Sequence, residues 1–245
     1  MELIFRKDYS IMDNCTDRYG RLKPSQILFF AQDAATSQCD VLDMRWETMA
    51  ERGLFWAISR TNVRIHRLPK KGDTVTVETW PMANTRVAYP RATNMYDQHG
   101  NLLVQAVSLW VLMDINKRSM VLPARSGLNF TGEDRGGELP VPGGLPLCAC
   151  EDATFRTVTY TDLDVNGHMN NTKYMDWVAD LQNSEFHQER FPKEFTVCYL
   201  SEAWEGQQLR QESVFDPESN TYQVEFRREK EPGKLERVFA AKVQY

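Results

Sequence analysis

The sequence has no apolar stretch approaching the roughly 20 residues that a membrane-crossing helix requires. It has no basic excess: 29 Lys and Arg stand against 34 Asp and Glu, a net charge of −5. A nucleic-acid binder is ordinarily basic overall or carries a dense basic stripe, and neither occurs here. The short runs Lys70-Lys71 and Arg227-Arg228-Lys230 are candidates for a local basic patch that meets an acidic partner, with solvated hairpin ends as the plainer reading. Cysteine is scarce and unpatterned, with five at positions 15, 39, 148, 150 and 198 and no C-x-x-C pair. That argues against a cysteine zinc motif or a disulfide framework, so reduced, mostly buried thiols are expected. The histidines at 66, 99 and 187 lie far from His168 without ligand spacing. No G-x-S-x-G elbow marks a nucleophilic serine. Met1-Glu2-Leu3-Ile4-Phe5-Arg6 alternates like a strand and lacks the zones of a signal peptide, and no Arg- and Ser-rich transit segment precedes it. A cytoplasmic location is expected.

What is present is ordinary globular composition, 42% hydrophobic and 26% charged over 245 residues. That suffices for one large domain or two small ones. Segment 131–146, TGEDRGGELPVPGGLP, is dense in Gly, Pro and acidic residues without apolar periodicity, and reads as a linker. It separates an N-terminal domain, 1–130, from a C-terminal one, 147–245. Each half runs strand, loop, helix, strands. In the first, Leu3–Ile11 is strand-like, and Ile27, Phe30, Ala31 and Ala34 recur at helical spacing after Pro24, which suits a first helical turn. Strands are expected at Thr74–Trp80, Arg86–Tyr96 and Leu102–Met113. In the second half, Phe155–Tyr160 opens, and Tyr174, Trp177, Val178 and Leu181 mark a helix. Strands follow at Phe195–Trp204, Gln207–Phe215, Thr221–Arg228 and Leu235–Val243, with a turn at Glu231-Pro232-Gly233-Lys234.

The halves superpose without a gap through loop and helix at an offset of 147, which pairs Asp17 with Asp164, Gly20 with Gly167, Leu22 with Met169 and Phe30 with Trp177. The expected fold class is α+β, a helix of 15–20 residues cradled by a curved antiparallel sheet, repeated twice.

The loop Asp164-Val165-Asn166-Gly167-His168-Met169-Asn170-Asn171 carries the chemistry-bearing residues. In an extended backbone, Asp164, Asn166 and His168 would share one side. At the paired positions the first half has Asp17, Tyr19 and Arg21, so one active site is expected, in the C-terminal half. Asn170 or Asn171 suits a helix N-cap, which leaves Asp164, Asn166 and His168 unexplained. A calcium loop beginning at Asp162 fits through Gly167 but places Lys173 where a bidentate Glu is required. No metal is expected.

Asp162-Leu163-Asp164-Val165-Asn166-Gly167-His168-Met169-Asn170-Asn171-Thr172-Lys173-Tyr174 closely resembles the active-site segment of fatty acyl-ACP thioesterases. Asp17–Leu22, Gly53–Arg60 and Gly72–Trp80 resemble that family's N-terminal half, so the resemblance covers nearly the whole chain. It implies two tandem hotdog repeats and hydrolysis of fatty acyl-acyl carrier protein to free fatty acid, without a cofactor. The partner implied is acyl carrier protein bearing a fatty acyl-phosphopantetheine, with no nucleic acid and no membrane. A homodimer is compatible with this plan. The start at Met1 resembles the bacterial branch rather than the plant plastid one. The family's further acid falls on Glu202, on a strand; the neighbouring cysteine of plant members is Ala203 here, which argues against an obligatory Cys mechanism. Cys198 is four residues away, about 13 Å along a strand, and Glu205 would point to the opposite face.

The implied roles are Glu202 as general base, Asn166 and His168 contacting water or thioester, and Asp164 holding both in register. A backbone N–H near Asn170 would serve the oxyanion. The family places the acyl slot in the N-terminal half, where Ile27, Phe30, Ala31, Met44, Trp46, Phe55 and Trp56 are candidate linings. Acyl-CoA hydrolysis is the alternative reaction, though acyl-CoA members usually carry one hotdog per chain; a non-catalytic acyl-binding hotdog protein is the rival outside enzymes.

Overall fold

The computed structural model describes residues 4–133, 135–148 and 153–245. Met1, Glu2 and Leu3 of the opening alternation, Asp134 of segment 131–146, and Cys150 lie outside them. The chain divides into two compact units, Met1–Pro142 and Gly143–Tyr245.

In the first unit, β1 (Phe5–Ser10) leads to α1 (Pro24–Val41) and α2 (Trp46–Glu51). Strands β2 (Leu54–Ile65), β3 (Thr74–Pro81), β4 (Tyr89–Tyr96), β5 (Leu102–Asp114) and β6 (Met120–Val121) and a short α3 (Pro123–Ser126) follow. The antiparallel sheet runs β1-β3-β4-β5-β2, with β6 on the end of β5. Pro24 opens α1, where its missing N–H is no loss and its fixed φ suits the helix. Ile27, Leu28, Phe30, Ala31, Ala34 and Ala35 are buried along α1, which lies against β1 and β3. The strand expected from Arg86 begins only at Tyr89. Thr85 Oγ1 accepts the Ala88 N–H at 2.9 Å and holds residues 85–88 in a turn.

The second unit holds β7 (Ala153–Thr157), α4 (Lys173–Asp180), α5 (Ser184–Glu189), β8 (Glu194–Tyr199), β9 (Gln208–Asp216), β10 (Thr221–Glu231) and β11 (Lys234–Gln244). Its antiparallel sheet runs β7-β9-β10-β11-β8. Set β7 against β1 and β8 against β2, and the two orders are the same. Both units are hotdog folds of α+β class. The second departs from the expected long helix, because the chain breaks between Asp180 and Ser184. Asn183 starts α5 afresh, its Oδ1 accepting the Phe186 N–H at 2.9 Å, a local bond that competes with helix continuation. Tyr174, Trp177 and Val178 of α4 are buried as their spacing predicts.

Segment 131–146 has neither helix nor strand among its described residues, yet it is not a free tether. Trp80 Nε1 donates to the Glu133 carbonyl at 3.1 Å, and Arg135 pairs with Glu78 at 2.7 Å. In the second unit, Arg237 donates to the carbonyls of Leu145 and Pro146 at 3.2 and 3.1 Å. Gly132 is required where it stands: its φ is +77°, and a Cβ there would lie 2.0 Å from the Ala83 nitrogen. Among the described residues, no helix is long and apolar enough to cross a membrane.

The second unit's core is an aromatic stack. Phe239 lies 4.7 Å from Tyr174 and 5.4 Å from Phe226, centroid to centroid, and is fully buried. Phe239→Ala is expected to destabilise this unit by about 3–5 kcal/mol, read as a lower urea midpoint with an unchanged slope.

Candidate active site

Residues 164–168 form a closed turn rather than the extended segment expected, so the alternation argument for Asp164, Asn166 and His168 does not hold. The Asp164 N–H donates to the His168 carbonyl at 2.8 Å, and the Gly167 N–H to the Asp164 carbonyl at 3.0 Å. Asp164 Oδ1 accepts the backbone N–H of Asn166 at 2.8 Å and of His168 at 3.3 Å. Gly167 supplies the left-handed φ, +78°, that the turn requires. Asp17 does the same work in the first unit, accepting from the N–H of Tyr19 at 2.8 Å and of Arg21 at 3.0 Å. The paired aspartates are therefore turn-builders first.

Glu202 is not on a strand as expected. β8 ends at Tyr199, and the N–H groups of Leu200 and Ser201 both donate to one carbonyl, that of Val238, at 2.9 and 3.2 Å. Two residues facing one is a bulge, and it turns the chain out of the sheet. The Met169 N–H then donates to the Ala203 carbonyl at 2.8 Å, and His168 bridges to Trp204. This brings His168 Nδ1 to 3.5 Å from Glu202 Oε1, with the Trp204 ring edge-on to the imidazole at 4.0 Å. Glu205 stands in the turn that follows and is exposed, so strand alternation does not apply to it. Nor does the straight-strand distance from Cys198, which is buried inside β8.

Arg228 fixes this exit. Its Nη1 donates to the Glu202 carbonyl at 2.6 Å and to Gln207 Oε1 at 3.1 Å, its Nη2 to Ser201 Oγ at 2.8 Å, and its Nε to Glu236 at 2.8 Å. Read from sequence, Arg228 was a solvated hairpin charge; its sheet position beside β11 makes it the fastening of the acid's segment. Burial pushes the hydroxyls of Tyr174 and Tyr199 far above the usual tyrosine range. Tyr174, close enough to feel the charges of Arg228 and Glu202, therefore stays a neutral phenol.

The loop's remaining residues divide clearly. Asn166 is exposed at the turn's tip, its amide 3.5 Å from Asp164 Oδ2 and without a hydrogen bond to His168 or Glu202. The N-cap is Thr172 rather than an asparagine. Asn170 acts one step earlier, its Oδ1 accepting the Thr172 N–H at 2.9 Å. The Asn170 N–H is engaged by the Asp162 carbonyl at 2.8 Å, which removes it as an oxyanion donor. The next N–H, of Asn171, has no hydrogen-bond partner among the described residues. Asp162 is buried, bound by Thr159 at 2.9 Å and by Trp177 Nε1 at 3.2 Å.

The first unit repeats this frame without its chemistry. Arg21 bridges to Lys70 as His168 does to Trp204. Arg21 is paired with Asp17 at 2.7 Å, and two residues before Lys70 stands Leu68 instead of an acid. His168 lies 147 residues after Arg21 but Trp204 only 134 after Lys70, so the first unit holds 13 more residues between turn and exit. α2 lies within that excess.

There α2 walls a cleft of about 350 Å³. Of the expected linings, Met44, Trp46 and Trp56 border it and Ile27, Phe30, Ala31 and Phe55 do not. Ile27, Phe30 and Ala31 are spent on the core, with Phe30 stacked on Tyr9 at 4.4 Å. Phe55 packs instead toward Trp46, 6.3 Å away. Ala35, Cys39, Met49, Tyr89, Trp110 and Phe130 also line the cleft. Ala35 and Cys39 continue the helical row from Ala31, a four-residue spacing visible in the sequence.

The model of the acyl-ACP thioesterase N-terminal domain matches residues 2–123, and that of the C-terminal domain matches residues 150–244. The chain belongs to the acyl-ACP thioesterase family. It is 25% identical over 243 residues to a palmitoyl-acyl carrier protein thioesterase of Cuphea hookeriana, covering 91% of this chain and 58% of that protein. To a dodecanoyl-[acyl-carrier-protein] hydrolase of Umbellularia californica it is 29% identical over 180 residues, 66% of this chain and 45% of that one. The chain thus spans about half the length of these curated relatives. Its fold matches the crystal structure of an acyl-ACP thioesterase from Bacteroides thetaiotaomicron, with a TM-score of 0.88 at 22% identity over 98% of this chain and 97% of the other. It also matches a 12:0-ACP thioesterase from Umbellularia californica, at 0.80 and 23% over 100% and 97%.

If Arg228 fastens the exit, Arg228→Met speeds amide exchange at Met169 and in 201–204 while the β10–β11 amides stay protected. Arg228→Lys fails to restore protection, because one ammonium cannot make the guanidinium's divergent bonds.

Proposed function

We propose that the chain hydrolyses the thioester of a fatty acyl group carried on acyl carrier protein through phosphopantetheine, releasing the free fatty acid. The observation that carries this reading is the His168–Glu202 pair, 3.5 Å apart, present in the second unit and replaced by Arg21 and Leu68 in the first. Family membership supports the substrate class.

The Glu202 carboxylate takes a proton from water as its oxygen attacks the thioester carbon. His168 bonds the same water or the departing sulfur. The tetrahedral oxyanion is met by the Asn171 N–H, the unengaged donor next along the chain. Collapse breaks the C–S bond, and the thiolate leaves with the proton that Glu202 held. Asp164 acts by building the turn that presents His168, and Asn166, at the exposed tip, meets the incoming phosphopantetheine arm. The first unit's cleft receives the acyl chain. No thiol takes part, so Cys198 remains a core residue.

Glu202→Gln keeps the shape and removes the base. It should lower kcat for decanoyl-ACP by about 10²–10⁴-fold with the unfolding midpoint unchanged; near-normal turnover would sink the assignment. The same substrate presented on coenzyme A is expected to be the poorer one, and the opposite ranking would favour acyl-CoA hydrolysis. Ala35→Leu fills part of the cleft and should shorten the released acids, since each buried CH₂ contributes about 0.8 kcal/mol, or about fourfold. An unchanged product profile would remove the cleft from the reading.

A further inference from the structure

The first unit's cleft is mainly apolar, yet its lining includes a cation to which the described residues supply no counter-ion. Arg91, on β4, is 8% exposed and is one of the residues lining the cleft. Its Nη1 donates to Gln38 Oε1 and, at 3.3 Å, to Thr79 Oγ1. These are the hydrogen bonds of its side chain among the described residues; Nε and Nη2 make none, and no carboxylate pairs with it. Asp40 and Glu47 also border the cleft, but both are exposed and neither forms an ion pair with Arg91. Cys39 cannot neutralise it either, because burial raises that thiol and keeps it protonated. Burial lowers Arg91 to about 10, which leaves it cationic at neutral pH.

Two further residues that line the cleft, Trp56 and Trp110, have buried indole N–H groups with no acceptor among the described residues. A buried charge and buried donors without partners are costly unless something supplies acceptors. The cleft's unmet need is for a negatively charged oxygen group at the end of an apolar body.

We propose that this cleft binds an alkyl chain bearing a carboxylate, the carboxylate seated on Arg91 and the chain against Met44, Met49 and Phe130. The inference rests on the reading above for the acyl nature of the ligand and adds an oxyanion site to it. The carboxylate has two chemical sources: the free fatty acid, held as a product, or an acyl substrate whose far end is oxidised to a second carboxyl.

Calorimetric titration of the full chain with decanoate and with 1-decanol tests the site without any turnover. Decanoate should bind at least about tenfold more tightly. Arg91→Met should abolish that preference while leaving 1-decanol binding, which also reports an intact cleft, and Arg91→Lys should retain part of it. Equal binding of acid and alcohol, or a preference that survives Arg91→Met, overturns the proposal. Hydrolysis then separates the sources. A product site makes added decanoate slow the turnover of decanoyl-ACP, an inhibition that Arg91→Met relieves. A distal-carboxyl site makes the ω-carboxyacyl-ACP a better substrate than the plain acyl-ACP, a ranking that Arg91→Met reverses. Absence of both patterns overturns a role for the site in the reaction. Carboxylate binding without any hydrolysis would refute the proposed function and leave this site standing; hydrolysis without the preference would do the reverse.

Discussion

A single carbonyl decides where the candidate acid stands. The Val238 oxygen accepts from both Leu200 and Ser201, and this one irregularity ends β8 and turns its continuation toward the His168 turn. Arg228 then holds the departing chain by backbone and side chain at once. An acid on a regular strand would be aimed by the sheet's pleat alone. Here the chain that carries it is set by a bulge, a guanidinium and the bond from Met169 to Ala203, so three restraints converge on the backbone around Glu202. Under the proposed function this matters, because small displacements of a reacting group change rates strongly.

Much of the plan was legible in the sequence. The 147-residue offset pairs Asp17 with Asp164 and Gly20 with Gly167, and in the structure each pair occupies matching positions of two turns of the same kind. Pro24 opens α1, and Tyr174, Trp177 and Val178 are buried as their spacing indicated. What could not be read was long-range. Whether 195–204 stays in a sheet depends on Val238, some 40 residues later, and no periodicity encodes that. The worth of Arg228 was hidden for the same reason: on β10 it looks like any hairpin charge until the exit from β8 is laid beside it. The extended reading of 164–168 failed for a nearer cause. A side-chain carboxylate can cap two backbone N–H groups of a tight turn, and Gly167 was the signal that it would.

The repeat shows how one frame is put to two uses. Both units make the same turn, the same bridge from turn to sheet exit, and the same doubled acceptance by one carbonyl, that of Leu103 for His66 and Arg67 in the first. In this frame two differences of side chain stand out, Arg21 against His168 and Leu68 against Glu202, together with 13 residues of length between turn and exit. The side-chain differences give the second unit its imidazole and carboxylate. The extra length gives the first unit α2 and the cleft it walls. Of the expected linings, Met44, Trp46 and Trp56 reach the cleft and Phe55 turns toward Trp46 instead, whereas Ile27, Phe30 and Ala31, in the helix both units have, serve the first unit's core.

That added stretch has an energetic meaning. A helix of six residues does not persist in water on its own. α2 is kept folded by docking, with Met49 fully buried among Met44, Tyr89 and Leu112 and Trp46 set against Phe55. The wall it gives the cleft therefore draws its stability from tertiary packing rather than from the helix's own hydrogen bonds, and is only as firm as those few apolar contacts.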